Sequence, residues 1–212
     1  MRMLRRWFRR PDFDHEAFEE GLQRSLERFH GDLLNYPADG PWGEVAYWDP
    51  LSAVRLFGGG VGDGRWEDRS RLGVPGPFYA GMTDTGLNGP FYLPAHVLSS
   101  EEHCEFVYRQ PGDFRELAAL VGVAQMEPIG GFNCDGDDYW TPETVRAWWH
   151  GRDAVREWIA AELADTDGRN DPEALRGYAA YLDDGLEDYL RGYVFWLTEG
   201  REPGLDEPLP TL

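Results

Sequence analysis

The chain has 212 residues, with 39 Asp and Glu against 20 basic side chains, and a formal charge of −19. Every basic residue is arginine, which excludes a P-loop, a kinase-type nucleotide site and a Schiff-base nucleophile, since each requires lysine. The acid excess argues against nucleic acid, whose affinity comes largely from cations on phosphates, and the apolar runs fall short of the ~20 residues of a membrane helix.

Residues 1–10 carry five Arg and no acid, residues 11–100 six Arg against 14 acids, and residues 101–212 nine against 25. The missing lysines fit the bias of a GC-rich genome. The start lacks the apolar core and small-residue cleavage site of a secretory signal, and residues 1–11 read as a basic arm lying on the acidic body rather than as a membrane lure. Two cysteines, Cys104 and Cys134, are too few for a disulfide scaffold and fit a reducing cytoplasm; a single bridge between them stays open.

Asp12 or Asp14 caps the first expected helix, whose Phe18, Leu22, Leu26, Phe29 and Leu33 share one face up to Asn35-Tyr36-Pro37. From 38 to 112, Gly and Pro punctuate strand-length pieces at 45–48, 53–57 and 105–109, which predicts a small irregular antiparallel sheet with long loops. Asp113-Phe-Arg-Glu116 opens a helix to about Val123 with Leu117, Leu120 and Val121 inward. Thr141-Pro142 starts a second, running to about Ala164 with Gly151 as a point of breakage, and Asp171-Pro172 starts a third with a stripe from Leu175 to Leu197. The expected architecture is α+β: an N-terminal helix, the irregular sheet and three C-terminal helices. Residues 12–199 form one domain, and residues 200–212 a loose acidic tail with prolines.

Candidate sites come next. Gly76-Pro-Phe-Tyr79 recurs as Gly89-Pro-Phe-Tyr92, and the two copies flank Thr83-Asp-Thr-Gly86. This reads as a hairpin: either it buries Phe78 and Phe91, or it presents Asp84 and Thr85 as a binding loop on a platform of Tyr79 and Tyr92. Asp84-Thr85-Gly86 matches the aspartic-protease triplet, but a second copy to share the proton is missing. Asn133, Asp135 and Asp137 alternate like the first calcium-loop ligands, after which Asp138 stands where glycine belongs and Thr144 replaces the bidentate Glu. Calcium or another divalent ion there is the minor reading; the major one is an acidic turn before the helix at Thr141. A zinc site or a Cys–His pair from His96, His103, Cys104 and Cys134 has little support in the spacing. Gly58-Gly-Gly-Val-Gly-Asp-Gly64 fails the G-x-G-x-x-G pattern and reads as a flexible connection. Trp140, Trp148, Trp149, Trp158 and Trp196 are expected to pack in the core or to anchor a partner.

Charge and size together suggest a cytosolic bacterial protein–protein interaction module that captures a basic partner, with an immunity-type inhibitor of a cationic toxin as one form. The alternative is a hydrolase in which Asp84, Asp135, Asp137 or Asp138 serves glycoside or metal-assisted hydrolysis in a cleft lined by Tyr79, Tyr92 and Trp140. That alternative requires the carboxylates to converge.

Overall fold

The computed structural model describes residues 61–86, 88–165, 168–204 and 206–212. The basic arm, the first expected helix and the strand-length pieces at 45–48 and 53–57 lie outside the described residues. In chain order come β1 (Tyr79–Ala80), α1 (Asn88–Tyr92), β2 (Val97–Ser99), β3 (Glu105–Val107), α2 (Phe114–Met126) and β4 (Phe132–Asn133). Four helices follow: α3 (Pro142–His150), α4 (Asp153–Ala164), α5 (Pro172–Asp183) and α6 (Leu186–Glu199). The protein is α+β, with helices dominating and two antiparallel sheets of two strands each among the described residues.

The hairpin of β2 and β3 stands between two apolar clusters. Its pairs are Val97↔Val107, Leu98↔Phe106 and Ser99↔Glu105. Successive strand side chains point to opposite faces, so Leu98 and Phe106 enter one cluster while Val97 and Val107 enter the other. The first cluster is built with α3–α6, through Val145, Ile159, Leu175, Tyr178, Leu186 and Tyr193. The second takes Leu117, Leu120 and Val121 of α2, as their spacing predicts, with Phe78 and Phe132.

Helix starts follow local capping chemistry. Asp113 Oδ1 accepts the Arg115 and Glu116 N–H groups, whereas the Glu116 carboxylate reaches past the cap to the Gly112 N–H at 2.7 Å. Thr141 caps Thr144, and Asp171 caps Glu173, each ahead of a proline. Two long helical runs are each divided. Gly151 closes α3 before α4 begins. The expected stripe from Leu175 to Leu197 breaks at Asp184-Gly185, where Gly185 has φ +95°. An L side chain rarely adopts that conformation, and the turn lets α6 fold back onto α5.

Three expectations change. The repeated Gly-Pro-Phe-Tyr copies do not form a hairpin. The first leads into β1, which pairs with β4 in the register Tyr79↔Asn133 and Ala80↔Phe132. The second lies inside α1, where the Leu93 N–H closes a turn onto the Gly89 carbonyl at 2.8 Å. Phe78 is fully buried and Phe91 is exposed. Partners explain the difference: Gln110 holds the backbone of Phe78, whereas the Gly89 N–H donates to Glu105. The described part of the glycine run is not a free connection either, because Asp63 and Gly64 donate to the Gly130 and Phe132 carbonyls at 2.9 and 3.0 Å. Finally, the C-terminal segment is docked. Arg191 donates to the Leu209 and Pro210 carbonyls, Arg146 donates to the Thr211 carbonyl, and Leu212 packs on the first cluster.

Side-chain amides complete what such short strands leave unpaired. Gln110 is buried; its Oε1 accepts the Phe78 N–H at 3.1 Å, while its Nε2 donates to the Phe78 carbonyl at 2.7 Å and the Val74 carbonyl at 3.3 Å. Asn170 does the same for Ser99, accepting its N–H and donating to its carbonyl, both at 2.8 Å. Gln110→Leu keeps the volume but strips three buried backbone groups of their partner. It should destabilise the fold by about 2–4 kcal/mol, read as a lower urea midpoint at unchanged slope.

Candidate functional site

Two buried glutamates organise the surface around the loop at 82–86. Glu127 follows the last turn of α2, where the helix dipole disfavours a negative charge. Its carboxylate is held instead by backbone N–H groups: Oε1 accepts from Asp84 at 2.8 Å and Ile129 at 3.2 Å, and Oε2 from Gly131 at 2.6 Å. One side chain thereby fixes two loop tips. Glu105, at the start of β3, accepts the Gly89 N–H on Oε1 at 2.9 Å, while its own N–H donates to Thr83 Oγ1 at 2.8 Å. It is fully buried, and its Oε2 has no hydrogen-bond partner among the described residues. Burial first, then the charges of Glu127 and Asp84, raise the Glu105 carboxyl from 4.5 to about 7, against the opposing pull of the Gly89 bond.

The segments tied by these glutamates carry large exposed apolar side chains. Met82 is 62% exposed, Phe91 72% and Ile129 60%. Met82 adjoins Thr83, Ile129 donates to Glu127, and Phe91 lies two residues beyond Gly89 on α1. Asp84 Oδ1 accepts the Gly86 N–H at 3.0 Å, which closes the loop on itself, and Thr85 is exposed at its tip. Tyr92 meets Phe91 edge-on, with its hydroxyl buried and unbonded.

The remaining site candidates lie elsewhere. The Tyr79 hydroxyl donates to Asp135 Oδ1 at 2.7 Å, with the Gly64 carbonyl 3.0 Å away; burial, then the bond to Asp135, push its pKa upward. Asp137 accepts from the Tyr193 hydroxyl at 2.7 Å and from Trp196 Nε1 at 2.9 Å, so it anchors α6. Asp138 is exposed in the 3-10 turn Gly136–Asp138. Asn133 donates to the Gly64 carbonyl and accepts the Cys134 N–H. The would-be calcium ligands therefore take separate partners. Among the described residues no group of three or more His, Cys, Asp or Glu stands where a metal ion could be held.

Trp140 packs edge-on to Trp66, which stacks on Tyr139. Of the other tryptophans named above, Trp148, Trp149, Trp158 and Trp196 are partly buried against the first cluster. Both cysteines are free thiols, and burial, then Asp135 and Asp137, raises the Cys134 thiol to about 11. His96 is buried and structural, with Nδ1 2.9 Å from the Arg109 carbonyl and Nε2 3.7 Å from Glu116.

The structure thus sets Asp84, Thr85 and Tyr92 around the glutamate-tied loops and Tyr79, Asp135 and Trp140 in an aromatic cluster, with Asp137 committed to α6. Glu105 and Glu127 escape sequence reasoning, although signals for both exist. Glu105 shares strand parity with Val107, so it faces the second cluster, and an acid directly after a helix C-terminus needs donors from outside that helix. No protein-family model, curated protein or solved structure matches the chain.

Because the Glu105 carboxyl titrates higher in the folded chain, the unfolded state loses its proton first, and stability falls as pH rises from about 4.5 to about 7. Glu105→Gln should remove that fall. Its gain over the parent should be on the order of 1–3 kcal/mol at pH 8 and near zero at pH 4, measured by denaturant titration at both pH values.

Proposed function

We propose that the chain is an acidic protein–protein interaction module that captures a basic partner, in the manner of an immunity-type inhibitor, through the loops fixed by Glu105 and Glu127. The observation that carries this reading is the exposure of Met82, Phe91 and Ile129 on the segments these glutamates tie. Single exposed apolar residues are ordinary on a protein surface. Three large ones on segments joined through two buried carboxylates have the form of pre-set anchors. Holding their backbone in place before binding reduces the ordering that association would otherwise require.

The partner's sign follows from charge. Asp84 lies two residues from Met82 and donates its N–H to Glu127, and the chain as a whole carries −19, a field that accelerates encounter with a basic protein and repels acidic ones. Acids also prevail from the start of α5 through the C-terminal segment, with ten between residues 171 and 207 against three Arg. In this reading the protein is cytoplasmic, in keeping with two free thiols. Among the described residues no helix is long and apolar enough to cross a membrane.

The hydrolase reading is less well supported. Asp84 bonds within its own loop and to Glu127, Asp135 bonds to Tyr79, and both Asp137 oxygens bond to α6. Hydrolysis by a carboxylate pair needs two such groups facing one bond.

The test is affinity capture from the native cell at low and high salt, with the parent and with Met82→Asp/Phe91→Asp/Ile129→Asp. The parent should retain a basic protein at low salt and release it at high salt. Each lost anchor is worth roughly 1–2 kcal/mol, so the triple variant should bind at least about a hundredfold more weakly. Equal capture by the triple variant would place the interface elsewhere, and a captured protein that is not basic would sink the reading.

A further inference from the structure

Apart from the proposed partner surface, the aromatic cluster contains a cation with no counter-ion among the described residues. Arg69 lies with its guanidinium carbon 3.7 Å from the Trp66 ring centroid and 5.3 Å from that of Trp140. Trp66 stacks on Tyr139 at 4.8 Å and 11°, and meets Trp140 at 5.2 Å and 88°. The guanidinium is therefore held flat against a rigid ring system. Its Nη1 donates to the Trp66 carbonyl at 3.0 Å. A guanidinium has five N–H donors in a planar fork, and among the described residues Nε and Nη2 have no acceptor.

The nearby acids are engaged elsewhere. Glu67 and Asp68 both lie against Arg65, whose Nε is 3.8 and 3.5 Å from their oxygens. Asp135 takes the Tyr79 hydroxyl. Burial lowers the Arg69 pKa, ahead of the opposing pull of Tyr79 and Glu67. A partly dehydrated charge without a counter-ion is unfavourable, and an arriving anion relieves it.

Beside Arg69 is a slot of about 10 Å³ lined by Ser70, Val74, Tyr79, Phe106 and Trp140. Ser70 Oγ accepts the Leu72 N–H at 3.2 Å, which leaves its own proton to donate. We propose that Arg69 and Ser70 bind the carboxylate head of a small apolar ligand whose body lies on Trp140. The slot has room for about one water-sized group, so it takes one carboxylate oxygen, and the rest of the ligand lies outside it. A planar carboxylate matches the guanidinium fork edge to edge. A phosphate dianion is bulkier, and the field of a chain at −19 opposes it more strongly than a monoanion.

The test titrates benzoate, acetate and inorganic phosphate at constant ionic strength. The readouts are the Arg69 Nε–H and the Trp66 and Trp140 indole N–H resonances, with thermal melting to check folding. Benzoate should saturate these signals and bind more tightly than acetate or phosphate. Arg69→Lys, which keeps the charge but loses the fork, should weaken benzoate by about tenfold. Arg69→Gln should abolish saturation, and Arg71→Gln on the exposed flank should bind like the parent. Phosphate equal to or tighter than benzoate would overturn the carboxylate assignment. Absence of saturation in the folded parent, or equal losses in the two Gln variants, would overturn the site.

Discussion

The fold depends on a hairpin of two three-residue strands that is buried on both faces. Alternation sends Leu98 and Phe106 to the helical cluster and Val97 and Val107 to the cluster beneath α2, so a slip of one residue would exchange the two sets. Strands this short leave much of the surrounding backbone without ladder partners. The unpaired groups are met by side chains and extended loop segments. Asn170 bonds Ser99, the Val74 N–H meets the Val107 carbonyl, and Gln110 bonds Phe78. Tyr178 and Tyr189 reach back from α5 and α6 to the Leu72 and Pro75 carbonyls. The chain from 72 to 78 has no regular structure, yet it is held from both sides. That is how a Gly- and Pro-rich centre remains ordered with so little sheet.

Helix starts were legible because their determinants are local. Thr141 before Pro142 and Asp171 before Pro172 need nothing distant to act as caps. The break at Gly185 was not legible, since apolar spacing continues across it and only the return of α6 against α5 selects the left-handed glycine. The repeated tetrapeptide carries the same lesson. Gly76 and Gly89 open identical words, but Gln110 meets the first copy and Glu105 the second, and distant partners decide between extended chain and helical turn. At the surface loop, Asp84 and Thr85 were recognisable from turn chemistry. Glu105 and Glu127 were not, because a glutamate is rarely buried without a partner, and their partners are backbone N–H groups that no side-chain pattern reveals.

The acid excess is also less uniform than a net charge suggests. Asp113, Asp171 and Glu127 satisfy backbone donors, Asp137 anchors α6, and Glu116 is held down to about 2 chiefly by His96, 3.7 Å away. These carboxylates maintain the fold. Asp184 and Glu187, exposed at the turn between α5 and α6, belong instead to the solvated remainder. Such a remainder supplies a long-range field without fixing a binding geometry, which is why the apolar anchors rather than the acids locate the proposed interface.

Arginine chemistry accounts for how the two proposed sites, for opposite charges, are compatible on one acidic chain. Among the described residues four guanidinium groups lie over aromatic rings: Arg69 on Trp66, Arg109 on Tyr181, Arg152 on Trp149 and Arg201 on Phe195. Stacking engages the face of a guanidinium and leaves its edge donors available, whereas an ammonium has no such division. Arg201 turns its edge to Glu207, which is held down to about 2, and Arg69 has no carboxylate on its edge among the described residues. At physiological salt the field of the surrounding acids decays over roughly 8 Å. A cation fixed on an aromatic wall therefore acts locally, while the field of the whole chain is what would act on the proposed basic partner.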